Sequence, residues 1–453
     1  MRWVRRALLV VGVLVMMVAV GGYWYIRPLV LTGSGYAAHN ACAVQFVAGR
    51  TNPDADLPDN PLLPYLRTAS DDELRHARSS LLGLLAPQQA WYTPGYGCTL
   101  GDERPAYPPA PPVNPAANPF SLARQPVAPL ASPGVATAVA AAFGDHLGEA
   151  ERAELGTRAV LVVHRGRVIA ERYAPGFGPT TPQLGWSLAK SVTSLLTGRV
   201  VQQGKLAISD ARLRPEWTDQ RAAITVDHLM RMTSGLAWDE TYDLGTPITD
   251  MLYREADMAG YAASQPAQHA PGTVQQYSTG STNILCSVLR QRTGAGPELP
   301  RTLLLGPLGL SGAAWEADGV GTPVCGSYLW ASAREWAAIG QFALQDGVWE
   351  GRRLLPEGWM RATTTVAPGA GQERGYAAGW WVNRLPGGEL VERRLPADAY
   401  WGQGHDGQRL YVVPSAQLIV VRLGFTPSLS SAQLNTHALV ADLLADRAVG
   451  VRG

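Results

Sequence analysis

A chain of 453 residues, 46% hydrophobic and 17% charged, can bury a large core and exceeds the usual size of one domain, so two or three units are expected and a disordered chain is excluded. Lys and Arg total 38 against 37 Asp and Glu, for a net charge of +1. Apart from an N-terminal cluster the basic residues are scattered, which excludes the charged face that nucleic-acid binding needs and points to a small substrate without strong charge.

Residues 7–26 form an uncharged, mostly apolar run long enough to cross a bilayer as a helix. Arg2, Arg5 and Arg6 precede it, so the positive-inside rule keeps the N-terminus in the cytoplasm and exports the rest, with Trp24 and Tyr25 as interfacial aromatics. A cleaved signal peptide, with Ala19-Val20-Gly21 as its small-residue site, is the competing reading. The length of the run favours a retained single-pass anchor in the cytoplasmic membrane, with the body on the outer, periplasmic or extracellular, face. Both readings expose the body to an oxidising space, where disulfides persist.

Cys42, Cys98, Cys286 and Cys325 show neither C-x-x-C nor Cys/His ligand spacing, which argues against structural zinc. A Cys42–Cys98 bridge is expected, because the two bracket a small segment (residues 28–103) of modest hydrophobicity. Within it, residues 71–85 are predicted as a helix from the acidic first turn Asp71-Asp72-Glu73. Cys286 and Cys325 either pair or remain buried thiols.

Residues 104–134 are rich in proline and alanine, from Pro105 to Pro133, and predict a semi-rigid extended linker before a main domain at 135–453. There, residues 135–147 read as a helix, and 159–164 and 168–173 as a hairpin around Arg165-Gly166-Arg167. Residues 187–312 are mostly helical, with Thr225 suited to an N-cap and Gly235 to a C′ position. Strands follow at 379–383, 408–413 and 417–423, and residues 431–447 close as a helix. The expected fold class is α+β, an antiparallel sheet flanked by terminal helices with an all-helical lobe beside it and the site in the cleft between them.

Three stretches carry chemistry. Ser187 and Lys190 stand one helical turn apart, with Leu188, Val192, Leu195 and Leu196 forming an apolar stripe. A serine hydroxyl is a poor nucleophile until a nearby base takes its proton, and an amine can do this. Taken alone, the pair reads first as a plain amphipathic helix with Ser187 as its N-cap. Tyr277 lies in a polar loop ahead of a predicted helix, and His405 lies between glycines ahead of a strand. Asp239-Glu240 could meet a substrate amine, but paired acids are more often a solvated surface.

In this order the three stretches resemble the motifs of the serine β-lactamase and penicillin-binding-protein superfamily, in particular its class C and esterase-like branch, which includes nylon-oligomer hydrolases. Ser187 and Lys190 match S-x-x-K, Tyr277-Ser278-Thr279 stands in place of Y-x-N, and His405-Asp406-Gly407 in place of K-T-G. Residues 228–236 and 346–359 also resemble the branch, and the resemblance covers about 135–447. It implies that Ser187 forms an acyl-enzyme and that Lys190 and Tyr277 share the proton relay, the ammonium lowering the phenol's pKa. It further implies an oxyanion site made by the backbone N–H groups of Ser187 and Gln408, with His405, Gly407, Thr279 and Trp186 around the substrate.

Two departures shift the expected substrate. Thr279 replaces the asparagine that binds a substrate amide, and His405, mostly neutral at pH 7, replaces a charged lysine. Small esters or amides are thus expected over penicillin or D-Ala-D-Ala peptides. The competing class is a non-catalytic, membrane-tethered module that binds muropeptide or a partner, and retention of Ser187, Lys190 and Tyr277 speaks against it. The expected chemistry requires no metal or cofactor, and the sequence does not indicate an oligomeric state.

Overall fold

The computed structural model describes residues 2–52, 56–57, 60–367, 370–371, 375–447 and 449. The first element, α1 (Arg2–Cys42), contains the predicted 7–26 run and continues well past it. Up to Ile26 its apolar side chains are exposed, apart from the half-buried Tyr23; from Val30 on almost all are buried. The helix is long and apolar enough to cross a membrane. Its second half is a core element of the protein. Thr32 donates to Asp250 (2.9 Å), Tyr36 stacks on Tyr253 (4.2 Å between centroids), and His39 Nε2 meets Glu316 Oε2 at 3.0 Å.

A four-stranded antiparallel sheet follows: β1 (Leu66–Asp71), β2 (His76–Leu81), β3 (Leu85–Thr93) and β4 (Gly97–Leu100). The helix predicted at 71–85 is therefore corrected to strand β2 and the turns on either side of it, from the end of β1 to the start of β3. Asp71 does not open a helix; its side chain accepts the N–H of Leu74 (2.8 Å) and closes the β1–β2 turn, a role that a short acidic side chain fills as readily as a helix start. Packing of β2 and β3 on α1, with Ala77 and Ala90 fully buried in the shared core, decides between the two.

The Cys42–Cys98 bridge joins the end of α1 to β4 with its Cα atoms 6.1 Å apart, and Cys286 and Cys325 also pair, at 5.9 Å. Beside the first bridge the fully buried Glu316 carboxylate accepts from Cys98 N (2.7 Å) and Trp330 Nε1 (3.0 Å) as well as meeting His39. A carboxylate this deep requires several donors, and these three tie α1 and β4 to the body.

Residues 104–134 are extended, as their prolines dictate, and lie along the body as a strap. Tyr107 donates to Asp318 O (2.8 Å), Arg301 Nε to Pro111 O (2.6 Å), and Trp349 Nε1 to Ala117 O (3.2 Å). Phe120 is fully buried, and Arg334 donates to Phe120 O (2.8 Å) while forming a buried ion pair with Glu171.

The strap leads into α2 (Pro133–Ala142), capped by Ser132, and the hairpin β5 (Thr157–His164) and β6 (Arg167–Tyr173). The central helices include α3 (Leu188–Gln202), α4 (Pro247–Arg254), α5 (Thr279–Thr293) and α6 (Ala333–Leu344). The chain returns through β7 (Trp381–Val382), β8 (Tyr400–Gly404), β9 (Gln408–Val413) and β10 (Leu418–Gly424), then ends in α7 (Thr436–Ala445).

The sheet order is β7-β8-β9-β10-β5-β6, every neighbouring pair antiparallel. Its central strands are apolar on both faces. Val160, Val162, Tyr411 and Val420 meet α2 and α7 on one side, while Leu161, Val163, Leu410 and Val421 join the core that contains α3 and α6 on the other. The period-two alternation of strand side chains divides these residues between two helical layers.

Candidate active site

The cleft opens where β8 meets the start of α3. Gly185 donates its N–H to Leu329 O (2.9 Å), and Trp186 turns the chain with φ +48°, a left-handed conformation uncommon outside glycine. Its ring is held by Tyr242, Tyr328 and His405 at 5.9, 6.4 and 5.6 Å. Ser187 thus stands at the first turn of α3, where backbone N–H groups and the helix dipole favour negative charge. Its hydroxyl makes no capping bond. A Cβ at Gly404 would lie 2.2 Å from Gly185 O, and one at Gly402 2.9 Å from Ser191 Oγ. These two glycines let β8 lie directly against the serine turn.

Lys190, one turn on, is buried, and its amine touches Ser187 Oγ (2.8 Å), Thr279 Oγ1 (2.7 Å) and Gly326 O (3.0 Å). Burial pushes its pKa down to about 8, with the Glu240 carboxylate, 3.9 Å away, pulling the other way. The surrounding acceptors then determine where the protons of the neutral amine go. Thr279 gives its hydroxyl hydrogen to Glu240, which as a carboxylate can only accept, so its oxygen must accept from Lys190. The Gly326 carbonyl can also only accept. With both N–H bonds so occupied, the lone pair of the neutral amine faces the Ser187 hydroxyl, the arrangement that lets an amine take a proton from a serine.

Each neighbour of Lys190 is itself fixed. Gly326 N–H donates to Asn283 Oδ1 (2.9 Å) on α5, and Gly326 follows Cys325, which is bridged to Cys286 on that helix. Glu240 also accepts from Trp238 Nε1 (2.5 Å) and from Thr279 N (2.9 Å) at the first turn of α5.

A cleft of about 380 Å³ opens onto Ser187, with Lys190 buried behind it and Glu240, Tyr242, Tyr277, Trp381, Gln403 and His405 in its walls. The ring centroid of Tyr277 is 4.8 Å from Lys190 Nζ, and the ring is packed edge-on to Tyr376 and stacked on Trp381. His405 stacks on Tyr242 (4.4 Å) and lies 3.3 Å from the buried Asp406, whose carboxyl burial pushes above the usual range. Asp406 and Gly407, at φ +55° and +83°, form the β8–β9 turn.

Ser187, Lys190, Tyr277 and His405 therefore meet in one cleft, with Gly407 in its rim. Three residues fall elsewhere than expected. The backbone N–H of Gln408 donates to His405 O, and its side chain bonds Gly424 at both ends (2.6 and 3.0 Å), so Gln408 closes a turn and is corrected as an oxyanion donor. Thr279 is fully buried and serves Lys190 instead of a substrate. Trp186 is buried beneath the cleft and packs on the His405 ring.

The residue that sequence reasoning passed over is Glu240. Asp239 does lie on the surface, holding the Thr241 N–H (2.9 Å), but Glu240 turns inward. No local pattern distinguishes the two acids, because the contacts that fix Glu240 come largely from α3 and α5.

A sheet flanked by terminal helices, with a serine–lysine pair at the start of a buried helix beside strand β8 of that sheet, defines the serine β-lactamase class of hydrolase folds. The beta-lactamase family model matches residues 130–441, and the chain belongs to that family and is a serine hydrolase of its fold. It is 24% identical over 321 residues to a 6-aminohexanoate-dimer hydrolase of Paenarthrobacter ureafaciens, covering 65% of this chain and 78% of the relative. Among solved structures it resembles EstCE1, a hydrolase with promiscuous acyltransferase activity (TM-score 0.55, 17% identity, 68% of this chain and 98% of that one). It also resembles a penicillin-binding-protein homologue from Caulobacter crescentus (TM-score 0.52, 18% identity, 70% and 97%). Residues 1–129 lie outside the family match.

Proposed function

We propose that this protein is an exported, membrane-tethered hydrolase that cleaves a small ester or amide through an acyl-enzyme on Ser187. The observation that carries the reading is the buried Lys190 amine, 2.8 Å from Ser187 Oγ, with its pKa lowered to about 8. Ser187 Oγ attacks the substrate carbonyl as its proton passes to Lys190. The Ser187 backbone N–H, at the first turn of α3, receives the developing oxyanion. Tyr277, beside the amine, carries the proton to the leaving group, and water then attacks the acyl-enzyme with the same groups in reverse.

The preference for esters or small amides is supported by the surroundings of the cleft. Thr279 is committed to Lys190, and the third motif offers a stacked imidazole where a β-lactam-cleaving relative would offer a fixed cation. The name of the Paenarthrobacter relative, a 6-aminohexanoate-dimer hydrolase, is in line with a small substrate. Export is supported by the apolar 7–26 run of α1, Arg2, Arg5 and Arg6 ahead of that run, and two disulfides.

A fluorophosphonate probe tests the central step. It should label the purified wild-type chain and leave Ser187→Ala unlabelled; equal labelling of both would refute the assignment. A C-terminal phosphatase fusion, expected to be active, tests the topology.

A further inference from the structure

We infer that the β2–β3 hairpin tip is a second membrane contact, inserted into the interfacial region of the same leaflet from which α1 emerges. This inference rests on the reading of α1 as a membrane span. The tip reads Leu81-Leu82-Gly83-Leu84-Leu85. Leu82 is 60% exposed, Leu84 81% and Leu85 40%, and the adjacent Tyr65 is 57% exposed. A cluster of large apolar side chains at the end of a hairpin is costly in water unless another phase covers it.

The position of the tip identifies that phase. The small sheet runs alongside α1. At its far end, Asp72 accepts from Gln45 (2.6 Å) and Tyr92 packs on Phe46. At its near end, Ala86 N–H, directly after the tip, donates to the Tyr23 hydroxyl (3.2 Å). Tyr23 begins the aromatic stretch Tyr23-Trp24-Tyr25 at the end of the apolar run, the part of a span that sits at headgroup level. The leucines thus lie where α1 leaves the bilayer.

Two arginines near the tip have long side chains that can reach lipid phosphates. The exposed Arg67 runs beside Gly83, its Cγ 3.9 Å from where a Cβ would stand, and Arg27 lies over the Trp24 ring at 5.2 Å. The acidic turn of the sheet, Asp71-Asp72-Glu73, is at the opposite end. On another side of α1, Gly245 packs so closely on Leu29 that a Cβ there would lie 2.3 Å from it. Gly245 belongs to the loop that carries Glu240 and Tyr242 of the cleft wall. Sheet and cleft loop are both seated on the helix just above the span, so the body cannot swing on a flexible tether, and the cleft is held close to the membrane surface.

The test uses the full chain in phospholipid nanodiscs, with an environment-sensitive fluorophore on Leu84→Cys, or on Leu82→Cys as a second site, and on Val391→Cys in the exposed β7–β8 loop as control. Acyl-chain spin-labelled lipid should quench the Leu84 and Leu82 labels several-fold more than the Val391 label and shift their emission to the blue. A chain that resists carbonate extraction but shows equal quenching at all three sites would overturn the hairpin contact and leave the anchor standing. Shielding from a water-soluble quencher without lipid quenching would mean that a second copy covers the tip, and would also overturn it. A chain released by carbonate would overturn the anchor and the hairpin contact together.

Discussion

The Thr279 hydroxyl donates its hydrogen to Glu240 and so accepts from Lys190, which together with the Gly326 carbonyl turns the lone pair of the amine toward Ser187. Thr279→Val keeps the shape and deletes the acceptor, so the amine can turn away from Ser187. The expected result is a fall in kcat of about 10²-fold with KM little changed, as a misdirected catalytic group gives. Steady-state kinetics on a short-chain ester measure it, and an unchanged kcat would remove Thr279 from the relay.

The pH profile follows from the same pair. The active amine is neutral, and its pKa is lowered to about 8 by burial. Activity should therefore rise with pH through about 8 and level off above it. Glu240 holds the charged form in place and raises the pKa, so Glu240→Gln should move the rising limb to lower pH. A purely structural role for Glu240 would lower the rate and leave the limb where it is.

Substrate preference can be read by comparing turnover of a p-nitrophenyl ester with that of a chromogenic cephalosporin. The ester should be cleaved faster, because Thr279 is buried and His405 provides no fixed positive charge for a carboxylate. Faster cephalosporin turnover would show that another group in the cleft, with the buried Arg409 in its wall as the first to examine, takes over that role.

The two disulfides should separate stability from activity. Removing Cys42–Cys98, which contacts none of the groups around Lys190, detaches β4 from α1 and should lower stability by about 2–4 kcal/mol with kcat retained. Removing Cys286–Cys325 frees the segment that presents the Gly326 carbonyl to Lys190 and should lower kcat as well. Non-reducing peptide mapping of purified protein checks the pairs; chemical denaturation and ester kinetics measure the two effects.

What the sequence by itself determined is what repeats locally. The apolar 7–26 run, the short apolar β-branched runs of the large sheet, the one-turn spacing of Ser187 and Lys190 and the extended proline-rich stretch all follow from patterns a few residues long, because apolar runs, helical spacing and the fixed φ of proline are local properties. Only the tertiary structure decided the rest. Residues 71–85 pair as strands because α1 offers them a surface to bury against, and Cys286 pairs with Cys325 because α5 brings them together. Gln408 closes a turn because His405 O captures its N–H. The basicity of Lys190 depends on how much water surrounds it, and its direction on Thr279, Glu240 and Gly326, all distant in the chain. Desolvation and hydrogen-bond direction belong to the folded environment, so no stretch of the sequence contains them.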